Sequence, residues 1–236
     1  MHLVKELKGH SGATVNLYSN NTVVKGNYPK ARESASILNE LPFPTPKILE
    51  VSDTSMTMEY INGLDMATYL ETEDINPLID FLSDYISWCD SNSILHNFKQ
   101  EINDKIVSLN DHIDLKGLIH DTVMPKSLIH GDLTLENILW YNGDFYLIDA
   151  NPTELNSIYF DANKLRQDLD CMWFVRDRSK RLEIKIACRR ISEKLKRRFA
   201  FMRNDAIMVF MLSRILPYSH SEKDRQFLYK EINKWR

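Results

Sequence analysis

The sequence has few cysteines, glycines and prolines, and it has no long apolar segment. Its three cysteines, Cys89, Cys171 and Cys188, lie far apart, so neither a disulfide framework nor a zinc site of the CxxC type is indicated. Seven glycines and eight prolines among 236 residues exclude a collagen-like or low-complexity chain. No run of about 18 apolar residues is present, and the first residues, MHLVKELKGHSG, lack the apolar stretch of a signal peptide. We therefore expect a globular, cytoplasmic protein.

The sequence contains enough apolar residues to form a core. Its charged residues are unevenly distributed along the chain. Hydrophobic residues make up 43% of the 236 residues, which suffices for one large core or for two lobes that share a cleft. Residues 1–120 carry 17 acidic and 9 basic residues, whereas residues 121–236 carry 16 acidic and 21 basic residues. This asymmetry favours an anionic ligand on the C-terminal side.

The pattern of apolar and turn residues predicts strands first and helices afterwards. A β-hairpin is indicated at 3–26 and a helix at 30–41, and the prolines that follow require an extended chain. We also predict strands at 56–60, 128–130 and 145–149, and mostly helix at 64–118 and beyond 160. The result is an α+β protein with a small β-rich N-terminal lobe, residues 1–62, and a larger helical C-terminal lobe, residues 63–236.

The segment LIHGDLTLENILWYNGDFYLIDANP, residues 128–152, carries most of the polar chemistry. One interpretation is simply a turn followed by a hairpin. The other is a site for a metal ion and phosphate groups, because Asp132, Asn137 and Asp149 supply the oxygen ligands that Mg²⁺ prefers. Phosphoryl transfer needs such ligands, together with an acid that holds the attacking hydroxyl group.

This segment resembles the aminoglycoside phosphotransferase and choline kinase superfamily, whose members are relatives of the protein kinases. HGDLTLEN is similar to its HGDxxxxN catalytic loop, and LIDANP is similar to the segment that replaces the protein-kinase DFG. The resemblance implies a bilobal protein-kinase-like fold that binds ATP and Mg²⁺ between its lobes. It also implies that Asp132 orients the acceptor hydroxyl group and that Asn137 and Asp149 hold the metal ion.

The same resemblance requires a lysine on the third strand and an acidic partner on the following helix. TVVKG supplies Lys25, and KARESASILNEL supplies both Glu33 and Glu40. We prefer Glu33, because Arg32-Glu33, Leu38 and the proline-rich segment fit the family pattern, and Glu40 stays open as the alternative. The resemblance implies that Lys25 holds phosphate oxygens while Glu33 fixes its amine.

Two further segments are expected to contact the nucleotide. The loop KGHSGATVNLY contains Gly9 and Gly12 but is neither a full GxGxxG loop nor a Walker loop. Its backbone, with Ser11 and Gly12, is the expected phosphate contact. MEYING lies where the family has its hinge, so main-chain groups near Glu59 and Ile61 are expected to pair with adenine.

Two residues near the catalytic loop are predicted to support it rather than to react. Asp161, in YFDANKLRQDL, resembles a later family element, and we interpret it as a structural support of the loop. His130 is interpreted as a residue that orients the loop, because its ring can both donate and accept hydrogen bonds.

Residues 176–203 contain 12 Lys or Arg residues and only 3 acidic residues, and their apolar residues recur at helical spacing. One interpretation is a solvated basic face. The alternatives are attraction of an anionic acceptor, such as a phosphorylated or carboxylated sugar, or of an anionic membrane surface. Specific binding of nucleic acid is the least favoured, because no recognition module is evident.

The function predicted from these features is transfer of the γ-phosphate of ATP to a hydroxyl group of a small molecule. Because aminoglycosides are polycations, a basic C-terminal lobe disfavours them, and a sugar or surface-glycan precursor is the preferred acceptor. Two alternatives stay open: a Ser/Thr protein kinase, and a non-catalytic pseudokinase scaffold that binds through its basic helix. The short chain without an APE element disfavours the first, and the four polar residues Lys25, Asp132, Asn137 and Asp149 disfavour the second.

Overall fold

A computed structural model describes residues 2–7, 12–178, 182–219 and 221–236. The strands are β1 (Leu3–Leu7), β2 (Thr14–Tyr18), β3 (Thr22–Gly26), β4 (Ile48–Val51), β5 (Met56–Glu59), β6 (Leu64–Asp65), β7 (Ile94–Asn97), β8 (Val123–Lys126), β9 (Ile138–Tyr141) and β10 (Asp144–Leu147). The α-helices are α1 (Ala31–Glu40), α2 (Met66–Thr72), α3 (Asn76–Ser91), α4 (Lys99–Leu109), α5 (Ile158–Leu169), α6 (Leu182–Arg198), α7 (Asp205–Ser213) and α8 (Glu222–Trp235).

The N-terminal part of the chain forms an antiparallel five-stranded sheet in the order β1-β2-β3-β5-β4. In β5 the apolar Met56 and Met58 alternate with polar residues, and Val23 of β3 lies opposite Met58, so these three side chains are buried in the same core. Helix α1 buries Ala35 and Leu38 against the same core. The hairpin, the helix and the strand at 56–60 predicted for this region are confirmed.

The C-terminal part is mostly helical, as predicted, and it contains two apolar cores. One core gathers α2, α3, α5 and α6 around the apolar side chains of the central segment. The other lies among α4, α5, α7 and α8. Helix α5 contributes to both cores, so it occupies the centre of this lobe. Together the two parts form the expected α+β fold, with a small β-rich lobe and a larger helical lobe.

The predicted strand at 128–130 is wrong. Strand β8 ends at Lys126, and the chain that follows it is irregular. Its backbone N–H groups form hydrogen bonds outside a regular strand pair. The Ser127 N–H donates to Asn156 O at 3.0 Å, and the His130 N–H donates to the Tyr85 hydroxyl at 2.7 Å. Because these partners lie far away in sequence, no local sequence pattern predicts these hydrogen bonds.

Two smaller differences concern the strands of the C-terminal lobe. The region 64–118 is not wholly helical, because β7 interrupts it and pairs with β8. The strand predicted at 145–149 is β10, which ends at Leu147. The lobe boundary predicted after Asn62 falls in the connection between β5 and β6 and stays a prediction. None of the described helices is long and apolar enough to cross a membrane.

Candidate active site

Asp132 and Asn137, the two residues of the predicted catalytic loop, lie in direct contact. The side-chain amide of Asn137 donates to the backbone oxygen of Asp132 at 2.9 Å and to its carboxylate at 3.2 Å. A short 3-10 turn, Leu135–Asn137, connects the loop to β9. The loop therefore presents a carboxylate and an amide oxygen side by side.

The hairpin β9–β10 brings Asp149 back to this pair. Its strands pair in register from Tyr141 opposite Asp144 to Ile138 opposite Leu147, and the turn places Asn142 and Gly143 at positive φ. Just after β10, the Ile148 N–H donates to Asn137 O at 3.0 Å. The two interpretations of this segment are thus compatible, because the hairpin brings the segment that carries Asp149 back to the backbone of Asn137.

Asp149 connects the two lobes through Lys25. It adopts a left-handed conformation, with φ of 60°, which an aspartate tolerates better than most residues. Its carboxylate forms an ion pair and hydrogen bond with Lys25 Nζ, which also lies 3.6 Å from the centre of the Tyr28 ring. The side chain of Lys25 is 7% exposed and that of Asp149 is 49% exposed, so the carboxylate faces solvent.

Neither candidate acid of α1 pairs with Lys25 among the residues that the structure describes. Glu33 is exposed on α1, and Glu40 accepts a hydrogen bond from Ser36. Glu33 nevertheless lies in the electrostatic field of the site. Burial raises the pKa of Tyr28 to about 12, and the charge of Glu33 adds to this shift.

A hydrogen-bonded group beneath the loop holds its backbone in place. The buried carboxylate of Asp161 accepts from the Tyr85 hydroxyl at 2.7 Å and from Gly131 N–H at 3.2 Å. The His130 ring donates through Nε2 to Ile148 O at 2.7 Å, so it connects the loop to the segment that carries Asp149. These contacts confirm the supporting roles predicted for Asp161 and His130.

Gly131 lies where the catalytic loop meets the segment after β10. Its φ is 81°, and a Cβ atom at this position would lie 1.9 Å from Asn151 O. Asn151 in turn donates its N–H to His130 O at 2.9 Å. Only glycine fits this close backbone approach, which explains the residue between His130 and Asp132.

Lys164 is the direct ionic partner of Asp132, with 2.8 Å between Nζ and Oδ1. Burial would raise the pKa of Asp132, but the charge and hydrogen bond of Lys164, with the charges of His130 and Arg214, outweigh burial and lower it. Asp132 is therefore a carboxylate at neutral pH. The spacing of Lys164 three residues after Asp161, on one face of a helix, was a usable signal that sequence reasoning missed. The buried hydroxyl of Tyr85 offered no such signal.

Asp168 supports the far end of the loop from inside the core. Its two carboxylate oxygens accept from Leu135 N–H at 2.6 Å and from Phe174 N–H at 3.1 Å. Burial raises its pKa to about 8, although both hydrogen bonds oppose this shift. The loop that carries Asp132 and Asn137 thus depends on a buried acid with a large pKa shift.

The shift at Asp168 predicts that stability decreases as pH rises from about 5 to 8. In this window the folded state keeps the proton while the unfolded state, with an ordinary pKa, releases it, so the free energy of unfolding falls by up to about 1.4 kcal/mol per pH unit. We expect Asp168→Asn, which does not titrate, to show a flatter dependence. Urea unfolding at several pH values measures both curves, and parallel curves would contradict the shift.

The remaining predicted nucleotide contacts lie on the N-terminal side. Ser11 falls outside the described residues, and Gly12 has a φ of 77° with open space around it. The Glu59 N–H donates to Lys47 O at 3.0 Å. In the described part of the chain, the main chain of Ile61 makes no backbone hydrogen bond, so it is free to pair with a ligand. These assignments stay predictions.

The donor set suits a magnesium ion shared with phosphates better than a metal ion enclosed by protein. Among the described residues no group of three or more His, Cys, Asp or Glu side chains could hold a metal ion. Asp149 offers an exposed carboxylate, and Asn137 has its amide oxygen left, because its NH₂ group is bound to Asp132. Mg²⁺ in nucleotide sites usually takes one or two protein oxygens, with phosphates and waters completing its shell.

Several basic side chains of the segment 176–203 form ion pairs with acidic side chains of the protein. Lys196 pairs with Asp170 at 2.6 Å, and Arg176 pairs with Asp224 at 3.2 Å. Arg189 pairs with a glutamate one turn further along α6. The excess positive charge at this surface is therefore smaller than the count suggests, and binding to an anionic membrane stays a prediction.

Comparison with solved structures confirms the protein-kinase-like fold. The chain is similar to the aminoglycoside phosphotransferase APH(2'')-IIa in its complex with streptomycin and ATP, with a TM-score of 0.62, 14% identity, and coverage of 99% of this chain and 91% of that one. It is similar to ADP-bound aminoglycoside phosphotransferase APH(2'')-Ib, with a TM-score of 0.60, 17% identity, and coverage of 100% and 92%. It is also similar to a glucosamine kinase in complex with glucosamine, ADP and inorganic phosphate, with a TM-score of 0.59, 11% identity, and coverage of 98% and 79%. No protein-family model and no curated protein sequence matches the chain.

Proposed function

We propose that this protein is an ATP- and Mg²⁺-dependent phosphotransferase that phosphorylates a hydroxyl group of a small molecule. The observation that carries the proposal is the single connected group of Asp132, Asn137, Asp149 and Lys25. Asn137 bonds to Asp132 through its side chain and to Ile148 through its backbone, and Asp149 pairs with Lys25. The Asp149 carboxylate stays half exposed while it pairs with a buried lysine, which a purely structural ion pair would not require.

The roles of the residues follow from their chemistry. Asp132 accepts the proton of the acceptor hydroxyl group while that oxygen forms its bond to the γ-phosphorus and the bond to the ADP oxygen breaks. Lys164 keeps Asp132 ionised, and a carboxylate must be ionised to accept the proton of the hydroxyl group. Asn137 and Asp149 would hold Mg²⁺, which supplies neutralisation of the phosphate charge.

The N-terminal lobe would contribute the nucleotide contacts. Lys25 would bind phosphate oxygens, although in this structure its amine is held by Asp149 rather than by the predicted acid Glu33. Backbone groups of Gly12, together with Ser11, would approach the phosphates, and the main chain near Glu59 and Ile61 would pair with adenine. Similar solved structures support nucleotide use, since the ones named above bind ATP or ADP. We prefer a sugar as the acceptor.

Nucleotide binding is the first test of the proposal. ATP at about 100 times its Kd, with Mg²⁺, should stabilise the fold by about 2.7 kcal/mol. Asp149→Asn should lose most of this stabilisation, because an amide is a poorer ligand for the metal ion than a carboxylate. Asp144→Asn, which removes an exposed charge from the same hairpin, is the matched control and should behave as the wild type. Thermal unfolding with and without Mg²⁺ measures each case.

The second arm measures phosphate transfer from labelled ATP to sugars, amino alcohols and proteins. Phosphorylation of small hydroxyl compounds supports the proposal. Phosphorylation of proteins alone would favour the Ser/Thr protein kinase. Absence of any nucleotide effect would favour the pseudokinase scaffold and would overturn the proposal.

A further inference from the structure

Positive charge collects on the side of Asp132 that faces the C-terminal helices. Arg214 follows the last residue of α7, and α7 packs against α5, which carries Asp161 and Lys164. Arg214 lies close enough to Asp132 and Asp161 for their charges to interact. A second cation therefore stands beside the carboxylate that Lys164 already pairs with.

Arg214 has more hydrogen-bond donors than protein partners. A guanidinium carries five N–H donors, yet among the described residues the hydrogen bond of the Arg214 side chain goes to Met211 Sδ, a weak acceptor, at 3.3 Å. Among the described residues no carboxylate lies within ion-pair distance of Arg214. The side chain is half-buried, and burial lowers its pKa. A cation taken out of water in this way is normally paired, because an unpaired buried charge is costly.

Two lysines extend the cluster. Lys105 is half-buried on α4, a helix that shares one apolar core with α5 and α7. Its charge interacts with the charges of Arg214 and Lys30. Lys30 donates to Pro152 O at 2.8 Å, directly after the segment that carries Asp149. In the described part of the chain neither lysine forms an ion pair. These cations repel one another, so an anion bound among them would be stabilised.

The neighbouring acids do not cancel this charge. Asp132 is engaged by Lys164. Asp161 is fully buried, and its carboxylate already accepts hydrogen bonds from the Tyr85 hydroxyl and the Gly131 N–H. The cluster of Arg214, Lys105 and Lys30 is thus left with net positive charge next to the residue that would orient the acceptor hydroxyl group.

We infer that Arg214 and Lys105, with Lys30 at the rim, bind an anionic group of the acceptor, so that the phosphorylated hydroxyl group belongs to a sugar acid or a sugar phosphate. The inference rests on the proposed function, since it takes Asp132 as the residue that marks the acceptor side. A carboxylate or a phosphate would accept the free N–H groups of Arg214 in a bidentate manner. Polycationic acceptors such as aminoglycosides would be repelled by the same cluster.

Matched ligands on one sugar scaffold test this assignment. Calorimetric titration of the full chain, with ADP and Mg²⁺ present, would measure the Kd of glucose, glucuronate, glucose 6-phosphate and glucosamine. We expect at least one of the two anions to bind about 10-fold or more tighter than glucose, and glucosamine to bind most weakly. The difference in Kd between glucuronate and glucose 6-phosphate then distinguishes a site for a carboxylate from a site for a phosphate.

Charge-removing variants test the residues. Arg214→Gln should lower the preference for the anion over glucose by about 10-fold to 100-fold, the size of a charge-assisted hydrogen bond. Lys105→Gln is a milder variant that tests the same site if Arg214→Gln does not fold. Lys185→Gln, on the exposed face of α6, removes the same charge elsewhere and should leave the preference unchanged.

The outcomes distinguish a failure of the anion-binding inference from a failure of the proposed phosphotransferase function. Anions that bind no tighter than glucose, or a preference unchanged by both Arg214→Gln and Lys105→Gln, would overturn the inference while ADP binding leaves the proposed function intact. Loss of the nucleotide effect in the thermal experiment would instead overturn the proposed function, whatever the sugars do.

Discussion

Asp132→Asn is expected to lower kcat for phosphate transfer by about 10²-fold to 10⁴-fold, the range measured for a positioned general base. The carboxylate lies 2.8 Å from Lys164 and is held ionised, whereas an amide has no basic oxygen to take the hydroxyl proton. An asparagine keeps the size of the side chain, and the hydrogen bond from Asn137 to the backbone oxygen of residue 132 survives. Steady-state transfer to whichever acceptor is phosphorylated measures the loss.

Binding of ATP separates this effect from misfolding. Asp132 is not among the proposed nucleotide or metal ligands, so Asp132→Asn should keep most of the Mg²⁺-dependent stabilisation by ATP. Asp144→Asn again serves as the control, because it removes the same charge as Asp132→Asn. A variant at Asp132 that retained more than about a tenth of the wild-type kcat would contradict the role of a general base.

The parts of the site that were predictable are those encoded within a short stretch of chain. Asp132, Asn137 and Asp149 lie within 18 consecutive residues, and the turn at Asn142-Gly143 folds that stretch back on itself. Short-range geometry of this kind leaves few arrangements, so the spacing, together with the family resemblance, indicated that Asp132, Asn137 and the segment that carries Asp149 lie together.

The parts that were not predictable depend on packing between distant elements. Tyr85 reaches Asp161 across 76 residues, and Lys25 reaches Asp149 across 124. The first contact exists because α3 packs against α5, a choice that the amphipathic pattern of either helix does not specify. The second depends on how one lobe sits on the other. The predicted acid partner of Lys25 illustrates the limit, since Glu33 and Glu40 are both compatible with the local pattern.

The false strand at 128–130 has the same origin. A short apolar run is compatible with a strand, but it becomes one only if a neighbouring strand supplies hydrogen bonds. Here the Tyr85 hydroxyl accepts from the His130 N–H and the His130 carbonyl accepts from the Asn151 N–H, so the chain is irregular next to Asp132. That irregular backbone lets Gly131 take a positive φ, which brings the loop of Asp132 against the segment after β10.

Gly131→Ala is expected to reduce both stability and activity, and Gly117→Ala provides its matched control. Both glycines have positive φ, 81° and 72°, so both alanines pay a conformational cost of about 1–2 kcal/mol. A Cβ at Gly117 would meet nothing within 4 Å, whereas at Gly131 it would lie 1.9 Å from Asn151 O. Relief of that clash must move backbone, which adds about 1–3 kcal/mol.

The difference between the two alanine variants isolates the backbone contact that joins the loop of Asp132 to the segment after Asp149. Separation of these segments would also weaken the hydrogen bond from Asn151 N–H to His130 O, which is 2.9 Å long. We therefore expect Gly131→Ala, but not Gly117→Ala, to lower kcat at least about 10-fold, because small displacements of catalytic groups have large effects on rate. Urea unfolding and transfer kinetics on both variants measure the two effects. Equal losses of stability in the two variants, with equal kcat, would mean that the loop does not need this close approach.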